Sequence, residues 1–228
     1  MRFSALLTSL FFIITAFFPV HADMVLSKVI LDFDAGSKLR QDVEVKNTGK
    51  ETLYISVKVL KIIAPHRKKP KRRELRNPRS AGLLVSPNRL KLRPGQSKLL
   101  RIVVRKPATR KDLIYRVTFK PQIGKVKSNQ PLAVKILIAY DMLVIVRPPN
   151  AKPKLRVKRS GRTLTFHNAG NTNVLIRKLK QCNGNKSNCV ELPGNRLYAR
   201  ERWQVKLPKN GKVDVYQSIG TNHSIKQY

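Results

Sequence analysis

The chain has 228 residues, which is enough for one large or two small domains with a hydrophobic core. Hydrophobic residues make up 41% of the sequence and aromatic residues 7%, a composition that excludes a wholly disordered chain. Lysine and arginine number 48 against 12 acidic residues, a formal net charge of +36, which suggests an anionic partner: nucleic acid, an anionic membrane surface or an acidic protein.

The first 22 residues have the pattern of a cleaved signal peptide. Arg2 provides a positive start, residues 5–18 form an apolar stretch, and Val-His-Ala at 20–22 matches the small-x-Ala cleavage pattern. The alternative is an uncleaved membrane anchor, which needs ~20 apolar residues rather than this shorter stretch. We therefore expect an exported chain that starts at Asp23, and export in turn weakens the nucleic-acid reading.

The mature sequence is predicted to consist of β-strands. One run alternates large apolar with mostly polar residues, and its apolar positions are Leu53, Ile55, Val57 and Val59. This period of two turns one face of a strand toward a core, and it recurs at 43–45, 100–104 and 115–119. Turn signals such as Asn-Thr-Gly-Lys at 47–50 lie between the runs, a sequence typical of a β-sandwich.

A proline-rich segment divides the mature chain. Residues 148–153 contain three prolines, which cannot take part in a strand ladder and favour a stiff extended segment. Strand patterns resume after it, at 155–157, 164–166 and 174–176. We predict an all-β protein with a signal peptide at 1–22, an N-terminal sandwich domain at 23–147, a linker at 148–153 and a C-terminal sandwich domain at 154–228.

The most basic segment is 66–79, with eight cations in fourteen residues. Charge repulsion and two prolines predict an extended, solvated loop. The alternative is that the segment binds an acidic partner or anionic lipid headgroups by its charge.

No arrangement of residues in the sequence indicates catalysis. The closest carboxylate groupings are Asp32 with Asp34 and Asp42 with Glu44, and neither has a neighbouring histidine or nucleophile. They are interpreted as ion-pair partners. The histidines lack metal-ligand spacing, and there is no glycine-rich phosphate loop. We predict no enzyme, no metal site and no cofactor.

The two cysteines, Cys182 and Cys189, are separated by a polar, turn-like segment. In an exported chain an even cysteine count favours a structural disulfide. The alternatives are a redox-active pair or half of a metal site, but the spacing is wider than the Cys-x-x-Cys of redox motifs.

The stretch 131–146 carries one uniformly large and apolar face. Its even positions are Leu132, Val134, Ile136, Ile138, Tyr140 and Met142, whereas the odd positions are mixed. An ordinary core strand explains this row. An edge strand that pairs with a partner by β-strand addition explains it equally, and periodicity does not separate the two.

Several motifs resemble the periplasmic chaperones of pilus (fimbrial) assembly. The family's Pro-Gly stretch is similar to LVSPNRLKLRPGQS at 84–97, followed by Arg-Ile-Val-Val at 101–104. Residues 113–119 are similar to the family's strand F, and the apolar strand ending in Arg-Pro-Pro at 147–149 sits where the family places strand G and its linker. In the second domain, 164–172 followed by the two cysteines resembles the branch of the E. coli common pilus chaperone.

The resemblance implies two immunoglobulin-like sandwiches and a non-enzymatic, periplasmic function. Family members bind pilus subunits by donor-strand complementation and deliver them to an outer-membrane usher. The donor side chains would be Leu132, Val134, Ile136 and Ile138. Two other functions remain open: a structural or adhesive surface protein, and a cationic module for polyanions or lipids. The expected partners are subunits and the usher, with transient contact with an anionic membrane surface and no nucleic acid.

The resemblance also implies two cations that hold the carboxyl terminus of the subunit. Lys28 fits the cation on the first strand. The matching position on strand G falls at Leu143, which carries no charge, so Arg116 on the neighbouring strand is the candidate replacement. The alternative for Arg116 is a solvent-facing arginine without this role.

Overall fold

A computed structural model describes residues 23–34, 36–77, 81–122, 137–182 and 188–228. The predicted signal peptide lies outside the described residues. Within these ranges every regular secondary-structure element is a β-strand. The described residues therefore include no helix long and apolar enough to cross a membrane. The predicted all-β fold is confirmed.

The first part of the chain folds into two facing sheets. Its strands are β1 (Met24–Leu26), β2 (Ile30–Phe33), β3 (Arg40–Asn47), β4 (Leu53–Ile63), β5 (Lys71–Glu74), β6 (Leu83–Ser86), β7 (Arg89–Leu92), β8 (Ser97–Val104), β9 (Leu113–Gln122) and β10 (Tyr140–Val146). One sheet has the order β1-β3-β8-β6, and the other has the order β2-β10-β9-β4-β5, with β7 also paired to β4.

The predicted apolar positions form the core between these sheets. The alternating side chains of β3, β4, β8 and β9 point inward, and the buried ones include Val43, Val45, Ile55, Val57, Leu100, Ile102, Val117 and Phe119. Burying an aliphatic or phenyl side chain of this size stabilises a fold by about 1.5–3 kcal/mol. The period of two in the sequence therefore identified the inner faces correctly.

The start of the chain passes from one sheet to the other. β1 pairs antiparallel with β3, whereas β2 pairs parallel with β10 in the facing sheet. Only residues 27–29 separate β1 from β2. A short segment of the chain thus ties the two sheets together along one edge.

The rest of the chain forms a second, smaller sandwich. Its strands are β11 (Leu155–Ser160), β12 (Thr163–Asn168), β13 (Val174–Gln181), β14 (Val190–Leu197), β15 (Arg202–Lys206), β16 (Asp214–Ile219) and β17 (Asn222–Gln227). The sheets have the orders β11-β12-β15 and β14-β13-β16-β17. Phe166 stacks on Trp203 in this core, with 5.1 Å between the ring centroids. The predicted disulfide, Cys182–Cys189, is present and connects the end of β13 to the start of β14.

Each sandwich uses a buried asparagine to close a turn that the sequence indicated. The Asn47 Nδ2 donates to the backbone carbonyls of Glu51 and Leu92, and the Gly49 N–H donates to its Oδ1. Asn168 repeats the arrangement with Thr172, Leu197 and Gly170. The side-chain amide satisfies backbone groups that the turn leaves without a ladder partner, which is why a fully buried polar residue is tolerated at both positions.

The prediction of a solvated loop over 66–79 is wrong for its central part. Lys71–Glu74 forms β5, which pairs with Leu60–Ile63 of β4 at the edge of the larger sheet. The strand carries no apolar alternation because its side chains face mostly water, so the periodicity signal was absent. Charged side chains are common on edge strands, where they oppose pairing with another chain. Positions 78 and 79 lie outside the described residues.

Candidate functional site

The candidate site is β10 and the chain that leads into it. From Met142 to Val146 both faces of this strand are buried. Its even-numbered side chains enter the core of the first sandwich. Its odd-numbered side chains point away from that core, where Leu143 and Ile145 pack with Ile62, Ile114 and, from the second sandwich, Tyr198.

The apolar row on the even face continues out of the core. Val144 and Met142 are fully buried, Tyr140 is partly buried against the core, and Ile138 is 44% exposed. A core role therefore explains the carboxyl-terminal half of the row, and it does not explain the exposed Ile138. The other predicted donor residues, Leu132, Val134 and Ile136, lie outside the described residues.

β10 leaves part of its backbone unpaired where the row emerges. β2 pairs only with Leu143–Val146, whereas β9 pairs with the whole of β10 from Tyr140 onward. Within the described ranges, residues 140–142 therefore have a strand on one side only. Backbone donors and acceptors along such an edge can pair with an added strand.

Arg116 lies on the outer face of the larger sheet, beside Asp141. Its Nη1 donates to the Asp141 carbonyl oxygen at 3.0 Å, and its Nε lies 4.0 Å from the Asp141 carboxylate. That carboxylate also accepts from Thr118 Oγ1 at 2.9 Å and pairs with Arg72 at 3.3 Å. Arg116 is thus held in place on the face that carries Leu143, its partner across the β9–β10 ladder.

Lys28 is exposed and lies two residues before the start of β2. The Leu143 N–H donates to the carbonyl of Val29 at 3.0 Å, so the backbone next to Lys28 contacts Leu143 directly. Arg116 pairs with Leu143 from the other side. Adjacent strands lie about 4.8 Å apart, so the backbones of Arg116 and Ile30, the two ladder partners of Leu143, are roughly 10 Å apart, and Lys28 lies two residues before Ile30.

Sequence reasoning missed the role of Arg147, which it placed at the end of the first domain. Its side chain is only 4% exposed, and it donates to both Asp32 carboxylate oxygens, at 2.8 and 2.7 Å. The carboxylate of Asp34 lies 3.2 Å from the Arg147 Nε. From the second sandwich, Thr172 Oγ1 accepts a bond from Arg147 Nη1 at 2.6 Å. The interpretation of Asp32 and Asp34 as ion-pair partners is correct.

These contacts make Arg147 a buried link between the sandwiches. Burial disfavours its charged form, but the hydrogen bonds and the charge of Asp32 outweigh burial and raise the pKa of Arg147. Asp112 lies in the same junction, where the Asn173 backbone N–H and Nδ2 donate to its Oδ2 at 2.6 and 2.7 Å. Burial raises the pKa of the Asp112 carboxyl despite those bonds. The sequence signal that could have revealed the junction is Asp32 with Asp34. Two carboxylates at positions i and i+2 of a strand lie on the same face, so they need a nearby cation to offset their repulsion.

The described side chains and backbone of the site offer hydrogen bonds, an apolar surface and positive charge. In the part of the chain that the structure describes, no group of three histidine, cysteine, aspartate or glutamate side chains could hold a metal ion. The unpaired backbone of β10, the exposed apolar Ile138 and the two flanking cations instead suit an extended peptide chain.

Comparisons with known proteins identify the family and the fold of the chain. Residues 23–152 match the family model described as pili and flagellar-assembly chaperone, PapD N-terminal domain. No curated protein sequence matches the chain.

Solved structures of similar fold cover both sandwiches. The class 5 fimbriae chaperone CfaA is 21% identical with a TM-score of 0.62, over 90% of this chain and 98% of that one. A chain of the Salmonella enterica SafA pilin–SafB chaperone complex is 16% identical with a TM-score of 0.63, over 92% and 97%. The E. coli chaperone DraB is 19% identical with a TM-score of 0.60, over 90% and 97%. This likeness confirms the predicted pair of immunoglobulin-like sandwiches.

Proposed function

We propose a subunit-binding function for this chain, which belongs to the family of pili and flagellar-assembly chaperones. The family consists of periplasmic chaperones rather than enzymes. For this chain the proposal is that residues 1–22 direct export, that the mature protein captures pilus subunits by donor-strand complementation, and that it delivers them to an outer-membrane usher. The motif at 164–172 with the two cysteines supports the branch of the E. coli common pilus chaperone.

One observation carries this proposal: the even row of β10 passes from the core to an exposed position beside an unpaired backbone edge. Ile138 is exposed, and the backbone of residues 140–142 is paired on one side only within the described ranges. A subunit that lacks a strand has an open groove, and alternate large side chains on an added strand can fill it. Leu132, Val134 and Ile136 continue the same row in the sequence.

Lys28 and Arg116 are the proposed anchors for the carboxyl terminus of the bound subunit. They lie on either side of Leu143, just after the apolar row that would fill the subunit groove. A carboxylate between them would form charge-assisted hydrogen bonds. Arg116 already contacts Asp141, so an incoming carboxylate would compete with Asp141 for it.

The test is substitution of the exposed row. Ile136→Asp and Ile138→Asp are expected to leave the free protein folded, by circular dichroism and thermal melting, and to abolish co-purification with a co-expressed pilus subunit. Ile225→Asp is the matched control, because Ile225 is exposed in the second sandwich and outside the row. A folded Ile138→Asp variant that still captures the subunit normally would remove this strand from the mechanism.

A further inference from the structure

Two adjoining clefts are lined with cations, one on the first sandwich and one between the two sandwiches. The first, of about 500 Å³, is lined by Lys61, Arg73, Lys106, Arg110 and Lys111 among others. The second, of about 650 Å³, is lined by Arg110 and Lys111 again. It is also lined by Lys152 and Lys154, which lie just before β11, and by Arg200 of the second sandwich. The two shared residues place the clefts side by side. These eight lysines and arginines are called the basic groove below.

The basic groove contains no negative charge of its own. Neither cleft has an aspartate or glutamate among its lining residues. The acidic side chains form their ion pairs with other cations: Asp32 and Asp34 with Arg147, and Asp42 with Arg40 and Arg101. Within the described ranges, no cation of the groove takes part in an ion pair. The cations of the basic groove repel one another, and this repulsion destabilises the folded state. Folding by itself gives no reason to place these charges together.

The backbone that carries these cations is held in place across the junction. Asn171 Nδ2 donates to the carbonyls of Arg110 and Asn150, at 3.0 and 2.9 Å. The Lys152 N–H donates to the Asn171 Oδ1 at 2.6 Å. A single side chain thereby fixes the backbone of a cation from each wall of the groove. Only the side chains of these two cations, and not their backbone, remain to be ordered when a ligand binds, which lowers the entropy cost of binding.

Arg200 adds an unusual backbone conformation to the groove. Its φ is 71°, in the left-handed region where glycine or asparagine is expected. Its N–H donates to the carbonyl of Asn168 at 2.9 Å and so holds the turn in this conformation. A long cation occupies a position whose backbone favours glycine, which is consistent with a use for the charge.

The shape of the groove selects among anionic partners. A membrane surface is broad and contacts an exposed face, whereas these cations line a concave channel formed by two adjoining clefts, the second of which lies between the sandwiches. Single-stranded nucleic acid stacks its bases on exposed aromatic rings, but the aromatic ring among the lining residues, Tyr115, is 1% exposed. An extended peptide rich in aspartate and glutamate fits both the channel and the charge.

We propose that the basic groove binds an extended acidic segment of a partner protein. None of its lining residues belongs to β10, so this surface is separate from the donor strand. The two surfaces could therefore be occupied at the same time by different parts of a partner or by different partners.

The test is binding of fluorescein-labelled dodecaglutamate, measured by fluorescence anisotropy on the full protein. The groove variant is K106Q/R110Q/K111Q/K152Q/K154Q. The control removes the same numbers of lysines and arginines from exposed positions outside the groove, as K38Q/K46Q/K98Q/R156Q/K158Q. The groove variant is expected to lose affinity at least about tenfold, and the control to stay within about threefold of the parent, because binding would depend on local rather than net charge.

Equal losses in the two variants, or no binding of the peptide by the parent protein, would overturn the proposal. So would tighter groove-dependent binding of phosphatidylglycerol vesicles or of oligothymidylate, which would assign the groove to lipid or nucleic acid. The groove variant is expected to melt at the same or a higher temperature, because charge repulsion is relieved. If it fails to fold, R110Q/K111Q, which alters both clefts, serves as the second variant, and unchanged affinity in that variant would also refute the proposal.

Discussion

Removing the charge of Arg147 should weaken the connection between the sandwiches. Arg147→Met keeps most of the side-chain volume and removes every hydrogen bond of the guanidinium. Asp32 and Asp34 on one side and Thr172 on the other then lose their common partner. The substitution therefore affects the junction without opening a large cavity.

The expected cost follows from the exposure of the groups that remain. Removing one partner of a fully buried ion pair costs about 3–5 kcal/mol, because the other charge is left unpaired. Here Arg147 is 4% exposed, but Asp32 is 27% and Asp34 is 46% exposed, so both carboxylates can regain water. We expect a loss of about 2–3 kcal/mol, equivalent to about 5–10 °C in melting temperature for a chain of this size.

The assay is urea unfolding followed by two probes. Trp203 lies in the core of the second sandwich and is the only tryptophan, so its fluorescence reports on that sandwich, whereas circular dichroism reports on both. In the parent the two transitions are expected to coincide, and in Arg147→Met they are expected to separate. Arg156→Met, at an exposed position of β11, is the matched control. Unchanged, coincident transitions in Arg147→Met would refute the assignment of Arg147 as the link.

Three further predictions test other parts of the structure. Replacing both Cys182 and Cys189 with serine should cost about 2–3 kcal/mol by the chain-entropy estimate, seen by Trp203 fluorescence and absent from the transition of the first sandwich. Val144→Asp, which puts a charge in the buried part of the β10 row, should cost several kcal/mol and prevent folding, and a stable variant would contradict the core assignment. Burial raises the pKa of Asp112 above its ordinary 3.8, so ionising this carboxyl in the folded state costs stability as the pH rises through the raised value. Asp112→Asn should therefore gain in melting temperature relative to the parent as the pH rises above 3.8, and a difference that stays constant from acid to neutral pH would show that the carboxyl is not perturbed.

The strands could be predicted from the sequence wherever one face of the strand is buried and the other is exposed to solvent. β4 and β9 alternate in this way, and their inner faces were identified residue by residue. β5 could not be found, because an edge strand of Lys-Arg-Arg-Glu gains its order from backbone pairing with β4, and backbone pairing leaves no trace in side-chain type.

The candidate site was only partly predictable for a related reason. The apolar row of 132–142 was visible, but whether it is buried depends on which strands lie beside it, and these come from distant parts of the chain. Arg147 was taken for the end of a domain because its partners, Asp32 and Thr172, are far away in the sequence. A contact between two polar residues that are distant in the chain leaves no periodic pattern in the sequence. It therefore cannot be inferred from periodicity.

The parallel pairing of β2 with β10 also constrains the order in which the first sandwich can form. Asp32 and Arg147 are separated by 115 residues, so nearly the whole first sandwich must be synthesised before this edge can close. Contacts of such long range form slowly, because the entropy of closing the loop is lost before any contact energy is gained. Until β10 arrives, β2 and β9 have no strand between them. A chain whose β10 has not yet docked would be in the same incomplete state, a sandwich without its last strand, that the protein is proposed to relieve in others.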